Sequence, residues 1–451
     1  MAKPERSQNE ATDERAMRSS AEQNLIAQSG TRDGAISQDD GSRVDGSSSS
    51  HRNLVLTLLF TITVINFIDR QTVSVLAPVI RAAFHLSNEA YGRIVAAFQF
   101  GMMSGELPMG WIMDRFGSRL GLFCAVLLWS SATGAQAFVG SGTKLAATRF
   151  WMGSSECGNY SGGMKAVTQL FPIKDRTLAI GIFNSGSVIG SVIAPPLVVY
   201  LAQTYGFRTA FLVPASMGAV WAILWWLIYR NPARTDAAAV GVQEPLRSLL
   251  QQPSTWAVML CRFFVGPVIQ FYWYWLPSFL FSAEKMSMTR IGALSWIPFF
   301  LGGIGGVTGG WSAGWLQRRA FSQYDVRRIT MYGSSILCLT SLAVPFNHNT
   351  VVLLLMMSIA IFGHNFLSAN MYGAITDLFP ENAVGRITGL TGVAGGLSGL
   401  LFPLLTGFLV DRISYTPVFL VASVMPLIGT VALLIIAKRP CFERATNAAT
   451  H

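Results

Sequence analysis

LTLLFTITVINFIDRQTVSVLAPVI (residues 56–80) is an apolar run broken by two adjacent full charges, Asp69 and Arg70. A run of roughly 20 apolar residues is what an α-helix needs to cross a bilayer. An ionisable side chain in the middle of such a helix costs about 2.5–3.5 kcal/mol on insertion scales, so charges there are rare and mark function by default. Counted from residue 53, the pair lies about seventeen residues, or roughly 25 Å, along the helix. Successive helical residues point about 100° apart, so Asp69 and Arg70 do not simply face each other. Two readings stand: a self-neutralising pair near the outer interface, or one charge facing a cavity and the other a neighbouring helix.

The rest of the chain repeats this composition. Its 451 residues are 51% hydrophobic and 12% charged, about half the charged share of a soluble domain. The net charge of +10 sits in short groups between apolar runs with no continuous basic face. Membrane topology accounts for that pattern better than nucleic-acid binding does. Cys124, Cys157, Cys261, Cys338 and Cys441 form no CxxC, so neither a disulfide framework nor a metal site is expected. No cofactor is expected. Residues 1–51 are polar and rich in Ser, Gly and Asp. They read as a disordered cytoplasmic tail without the apolar core of a signal peptide.

About twelve apolar segments are long enough to span: 53–80, 90–113, 119–139, 145–171, 177–202, 209–229, 255–281, 290–316, 328–346, 350–378, 384–410 and 416–437. Runs such as FLGGIGGVTGGW and TGVAGGLSGL supply the small residues that let membrane helices approach closely. The longest interior hydrophilic stretch, 230–254, separates segments one to six from seven to twelve. Two six-helix halves joined by a long loop is a transporter pattern. It predicts an N-terminal bundle over 52–229, a cytoplasmic linker over 230–254, a C-terminal bundle over 255–440 and a cytoplasmic tail over 441–451. Alternate loops carry the excess of positive charge, including Arg115, Arg119, Lys174, Arg176, Arg230, Arg234, Arg247, Arg318, Arg319, Arg327, Arg328 and Arg386. That asymmetry predicts both termini in the cytoplasm.

The loop between segments two and three reads GWIMDRFGSR (residues 110–119). Gly110 is expected to permit close helix approach. Asp114, at a helix end beside Arg115, Gly117 and Arg119, is expected to form a releasable charge latch. Segment four contains RFWMGSSE, in which Arg149 and Glu156 lie seven residues apart, on one helix face and roughly 10 Å from each other. That is too far for contact, and it suits a relay in which Arg149 pairs with a carboxylate on another helix. A structural salt bridge tying segments one and four is the alternative.

The spacing Gly-x-x-x-Asp-Arg-x-Gly-x-Arg resembles the loop signature of the major facilitator superfamily and sits between the spans where that family has it. NFIDRQTVSVLAPVI, RFWMGSSECGNYSGGMKAVTQLFPIKDR, GIFNSGSVIGSVIAPPLV and SANMYGAITDLFP resemble its anion:cation symporters, and among these the hexuronate (glucuronate/galacturonate) transporters, over residues 53–440. The resemblance implies an all-α membrane protein of twelve transmembrane helices in two six-helix bundles, in a bacterial inner membrane. It implies alternating access, with import of a small organic anion and protons. It assigns Asp69 and Glu156 to protonation, Arg149 to coupling, Arg70 to the substrate carboxylate, and Asn159 and Asn370 to substrate contacts. A carboxylate desolvated in a cavity takes up a proton more readily, and a nearby arginine opposes this, which makes a simple coupling device. Phe67 stands where the family commonly has Tyr, and Asn365 and Leu367 where it has Gln and an aromatic residue.

Further polar groups complete the expected site. Tyr272 and Tyr274 in FYWYWLPSF, with His364 and Asn365 in segment ten, have the aromatic faces and hydrogen-bonding groups that a sugar acid needs. The aromatic cluster also reads as an interface belt, Arg262 as a snorkelling residue, and His364 as a helix–helix hydrogen bond. Glu106 is expected either to pair with Lys165 or to be silent. No Walker loop, H-E-x-x-H or nucleophile elbow is present, so an enzyme is not expected. A monomeric proton symporter of a hexuronate is the leading reading. An importer or exchanger of an aldonate or aldarate, and a transport-dead sensor, are the alternatives.

Overall fold

Side-chain caps set many of the helix starts. Ser87, Ser141, Ser287 and Ser322 each accept a hydrogen bond from the backbone N–H three residues on, and Asn349 accepts from Val351 and Val352. These bonds satisfy N–H groups that a helix leaves unpaired in its first turn. A computed structural model describes residues 49–231 and 245–437, except the side chains of residues 173, 174 and 381. Most of the expected N-terminal tail, the middle of the linker and the C-terminal tail lie outside the described residues.

Every regular element described is helical. The first half contains α1 (Ser49–Val75), α2 (Ala77–Ala83), α3 (Asn88–Gln136), α4 (Gly142–Glu156), α5 (Gly158–Leu170), α6 (Ile173–Tyr205) and α7 (Thr209–Ile228). The second contains α8 (Leu246–Gln251), α9 (Pro253–Ser282), α10 (Met288–Leu294), α11 (Ile297–Arg318), α12 (Gln323–Cys338), a 3₁₀ turn (Leu339–Phe346), α13 (Thr350–Leu378), α14 (Glu381–Arg412) and α15 (Thr416–Ile436). Among the described residues, 10 helices are long and apolar enough to cross a membrane.

That number differs from the twelve expected segments for two local reasons. Expected segments two and three fall in the 49-residue α3, which is two helical stretches meeting at a kink with no intervening loop. Its one non-helical residue is Gly117, at φ 79° and ψ 168°, a conformation essentially restricted to glycine. A Cβ there would also run into the Asn231 side chain. Expected segment four is divided at Cys157, whose φ of −58° and ψ of −23° remain right-handed, into α4 and α5, each short of a span.

Glycine seams hold neighbouring helices together. Gly101 and Gly105 of α3 face the α4 backbone at Phe150 and Ser154, so any Cβ there would collide with main chain. Gly305 and Gly309 of α11 face Phe362 and Phe366 of α13 in the same way. This close approach is how membrane helices gain packing energy without a hydrophobic effect between them. The two halves meet where α3 packs on α14, α6 on α10 and α11, and α2 on α9. Large apolar side chains stay exposed on the outside, among them Leu107, Val220, Leu227, Val307 and Val351, as suits a lipid surround rather than water.

Candidate functional site

Four charged residues from α1 and α4 converge inside the first half. Arg70 donates from Nε to Glu156 Oε1 at 2.7 Å, and its Nη2 meets the same oxygen. The Glu156 side chain is fully buried and that of Arg70 is 13% exposed. The Arg70 guanidinium also lies 4.6 Å from the Phe67 ring centroid and 5.4 Å from that of Phe98. Asp69, next along α1, turns away from this pair. It is buried, and neither carboxylate oxygen has a formed hydrogen bond. The Trp129 indole N–H faces it but falls short of one.

Arg149 corrects one expectation. It forms no ion pair with a carboxylate among the described residues. It donates to the Arg70 carbonyl at 3.2 Å and to Met152 Sδ at 3.3 Å, and stacks 4.5 Å from the Phe98 centroid. Arg70, not Arg149, reaches Glu156. The direct contact between segments one and four is therefore Arg70–Glu156, and Arg149 braces the α1 backbone beneath it.

The expected substrate contacts divide. His364 and Asn365 line a cavity of about 260 Å³ between the halves. Phe67, Ser187 and Ser191 face it from the first half, and Arg262, Gln270, Trp273, Ser368 and Tyr372 from the second. His364 Nε2 lies 3.3 Å from Ser368 Oγ. Arg70 is not among the lining residues and sits behind the Phe67 ring. Tyr274 is buried, its hydroxyl has no partner, and it lies beside Arg70, Arg149 and Glu156, so the second half caps the charge cluster. Asn159 donates to Thr63 Oγ1 at 3.3 Å and keeps a buried, unpartnered Oδ1 one turn beyond Glu156.

Two expected contacts are elsewhere. Tyr272 bonds Ser341 and packs on Phe271 and Phe419, inside the second half. It lies two residues, about 200°, from Tyr274 on the same helix. Asn370 accepts from Arg327 Nη1 at 3.0 Å and donates to the Gly309 and Phe366 carbonyls at 3.1 Å. Its amide serves a buried network in which Arg327 also pairs with Asp377.

The residues 110–119 are likewise redistributed. Gly110 makes no close approach, since a Cβ there would meet nothing within 4 Å. Asp114 pairs with Lys165 Nζ at 2.8 Å rather than with an arginine, and Lys165 therefore does not partner Glu106. Glu106 instead faces α14 at Gly392. Arg115 stacks 5.8 Å from both Trp111 and Phe116. Arg119 donates to the Trp226 carbonyl at 2.7 and 3.2 Å, and its N–H to Asn231 Oδ1 at 3.0 Å. Gly117 and Arg119 thus fasten the bend in α3 to the end of α7.

Sequence reasoning missed Gln270, Ser187, Ser191, Ser368 and Tyr372. A signal was present. Arg262, Gly266, Gln270 and Trp273 recur at helical spacing along α9, as do His364, Ser368 and Tyr372 along α13 and Ser187 and Ser191 along α6. A polar stripe on an otherwise apolar membrane helix marks its cavity face. Among the described residues, no group of three or more His, Cys, Asp or Glu could hold a metal ion.

At the end of the molecule remote from Asp114, a carboxylate joins the halves. Asp411 Oδ1 accepts from Asn88 N at 3.0 Å and Nδ2 at 2.7 Å, and Oδ2 from Glu89 N at 2.7 Å. Asp411 of α14 therefore caps the N-terminus of α3. Gln203 and Thr289, 3.2 Å apart, and the bond from the Tyr91 hydroxyl to the Tyr274 carbonyl at 2.8 Å add further cross-links. Losing an exposed cap costs about 1 kcal/mol, or about fivefold in an equilibrium. Asp411→Ala is expected to open this face by that factor, read as faster maleimide labelling of a cysteine placed beside Gln203. Labelling at the parental rate would show that the cap does not hold the face closed.

Residues 59–360 and 320–450 match the Major Facilitator Superfamily. The chain is 28% identical over 409 residues to the hexuronate transporter of Escherichia coli (strain K12), covering 86% of this chain and 94% of that one. It is 25% identical over 410 residues to the D-galactonate transporter of Escherichia coli O6:H1, covering 85% and 95%. Its fold matches the crystal structure of a bacterial homolog of the human lysosomal transporter Spinster, in an inward-facing and unoccupied conformation, with TM-score 0.70, 19% identity and coverage of 89% and 98%. These relatives are transporters, not enzymes. The helical architecture and a family match over most of the sequence agree, and the chain belongs to the Major Facilitator Superfamily.

Proposed function

We propose that the protein is a proton-coupled symporter that imports a sugar-acid anion, with a hexuronate as the leading substrate. The observation that carries this reading is the buried Arg70–Glu156 pair beside Asp69, whose carboxylate has no formed hydrogen bond, next to a polar cavity between the halves. An unpaired ionised carboxylate is far costlier to bury than a protonated one, so Asp69 is suited to carry a proton. A proton on Glu156 weakens its hold on Arg70 and frees that guanidinium for a substrate carboxylate. Arg149 holds the α1 carbonyl at Arg70 and keeps the cluster in register. The likeness to a hexuronate transporter supports the substrate class, and the likeness to a galactonate transporter favours an aldonate as the second candidate.

In this reading the chain crosses a bacterial inner membrane twelve times. α3 counts as two passes through Gly117, and α4 with α5 as one. Residues 52–229 and 255–440 form two six-helix bundles in a monomer, both termini are cytoplasmic, and Asp114 lies on the cytoplasmic side. Uptake of labelled glucuronate into proteoliposomes is expected to rise with an inward proton gradient. Uptake indifferent to the gradient would rule out symport, and absence of glucuronate and galactonate uptake would rule out the substrate class.

A further inference from the structure

Arg70 lies outside the cavity and is already held by Glu156, but another cation lines the cavity itself. Arg262 of α9 lines it and forms no ion pair with any described residue. Its Nε is buried without a hydrogen-bond partner in the protein. Its guanidinium lies 5.8 Å from the Tyr372 ring centroid. It is seated against α14 at Gly395, where a Cβ would come within 2.8 Å of Nε. A snorkelling arginine extends its head towards the membrane surface. This one is turned inward, between two helices, into the space between the halves.

The surroundings match a carboxylate on a short polyol. Gln270, two turns along the same face, has a buried Oε1 without a partner. Asn365 and Ser368 lie across the cavity on α13, and Ser187 and Ser191 face it from α6. A buried guanidinium N–H without a partner, as at Arg262 Nε, is costly, and a planar carboxylate satisfies an arginine's fork of donors two at a time.

Resting on the sugar-acid reading above, we infer that Arg262 binds the substrate's carboxylate in this conformation. The acid lies with its charged end on the second half and its hydroxyls towards Ser187 and Ser191. Arg262 and Arg70 are then two stations on opposite halves. The first accepts the anion directly, and the second becomes available when Glu156 takes up a proton.

The test uses the full-length protein in nanodiscs, with D-glucuronate, D-galactonate and the neutral isostere D-glucuronamide as probes. Binding is followed by the fluorescence of Trp273 and its neighbours. Wild type is expected to prefer glucuronate to glucuronamide. Arg262→Gln is expected to weaken glucuronate binding by about tenfold or more and to abolish that preference, with glucuronamide binding little changed. Arg262→Lys, which keeps the charge but loses the fork, is expected to fall between the two. If Arg262→Gln does not fold, the lysine variant is read alone, and parental affinity there overturns the inference. Glucuronate affinity in Arg262→Gln equal to that of wild type overturns the inference and leaves the sugar-acid reading standing. A wild-type protein that binds neither glucuronate nor galactonate overturns both.

Discussion

Glu156→Gln is expected to abolish proton-driven accumulation of substrate while substrate-for-substrate exchange continues. Glu156 is fully buried, and one of its oxygens receives both hydrogen bonds from Arg70. Glutamine keeps an acceptor oxygen at the same reach, so the local geometry survives. It removes the negative charge and cannot take up a proton, which fixes the site in the form that imitates the protonated carboxyl. The proposed cycle then runs without its proton-dependent step. Counterflow with equal substrate on both sides measures exchange, and uptake against a gradient measures accumulation. Intact accumulation would exclude Glu156 as an essential proton carrier. Glu156→Ala separates the structural part. It leaves a buried guanidinium with neither charge partner nor acceptor, a loss of about 3–5 kcal/mol. Its melting temperature should therefore fall well below that of the glutamine variant.

Arg327→Met is expected to produce the largest loss of stability in the second half. Arg327 of α12 pairs with Asp377 of α13 at 2.7 Å, with side chains 7% and 9% exposed, and donates to Asn370. Methionine fills a similar volume but strands the Asp377 carboxylate and removes a donor from Asn370. Breaking one partner of a buried pair costs about 3–5 kcal/mol, whereas replacing both by apolar groups of similar volume is often neutral. Arg327→Met combined with Asp377→Leu should therefore melt closer to the parent than Arg327→Met alone. A double variant that melts lower than either single would mean that the two residues do not act as a unit. An unchanged melting point for Arg327→Met would remove the pair from the stability of this half.

What was legible in the sequence follows from what lipid demands. Apolar runs had to be helices of membrane length, because backbone polar groups in a bilayer are satisfied within the segment. The few charges inside those runs had to meet something, and Asp69, Arg70, Arg149 and Glu156 do share one cluster. Spacing along a helix fixes the angle between two side chains but not which neighbour lies at that angle. So Glu156 found Arg70 where the relay reading gave Arg149 a carboxylate. Tyr272 and Tyr274 looked equivalent until the stripe from Arg262 to Trp273 oriented α9. Asn370 looked like a ligand because its polarity was visible and Arg327, distant in sequence, was not. The helix count differed because segments two and three meet at a kink at Gly117 with no loop between them and segment four is divided at Cys157, neither of which composition alone reveals.

The contact at Asp411 places its specificity on one side only. Two of its three donors are main-chain N–H groups, at Asn88 and Glu89, which every residue except proline possesses. Substitution of either side chain therefore leaves those two bonds in place. Sequence change in the first half can erase a backbone donor only through a proline at residue 88 or 89, whereas a single change at residue 411 removes all three acceptor contacts. Sequence drift around Asn88 is thus nearly silent for this closure, and selection on it falls on one carboxylate.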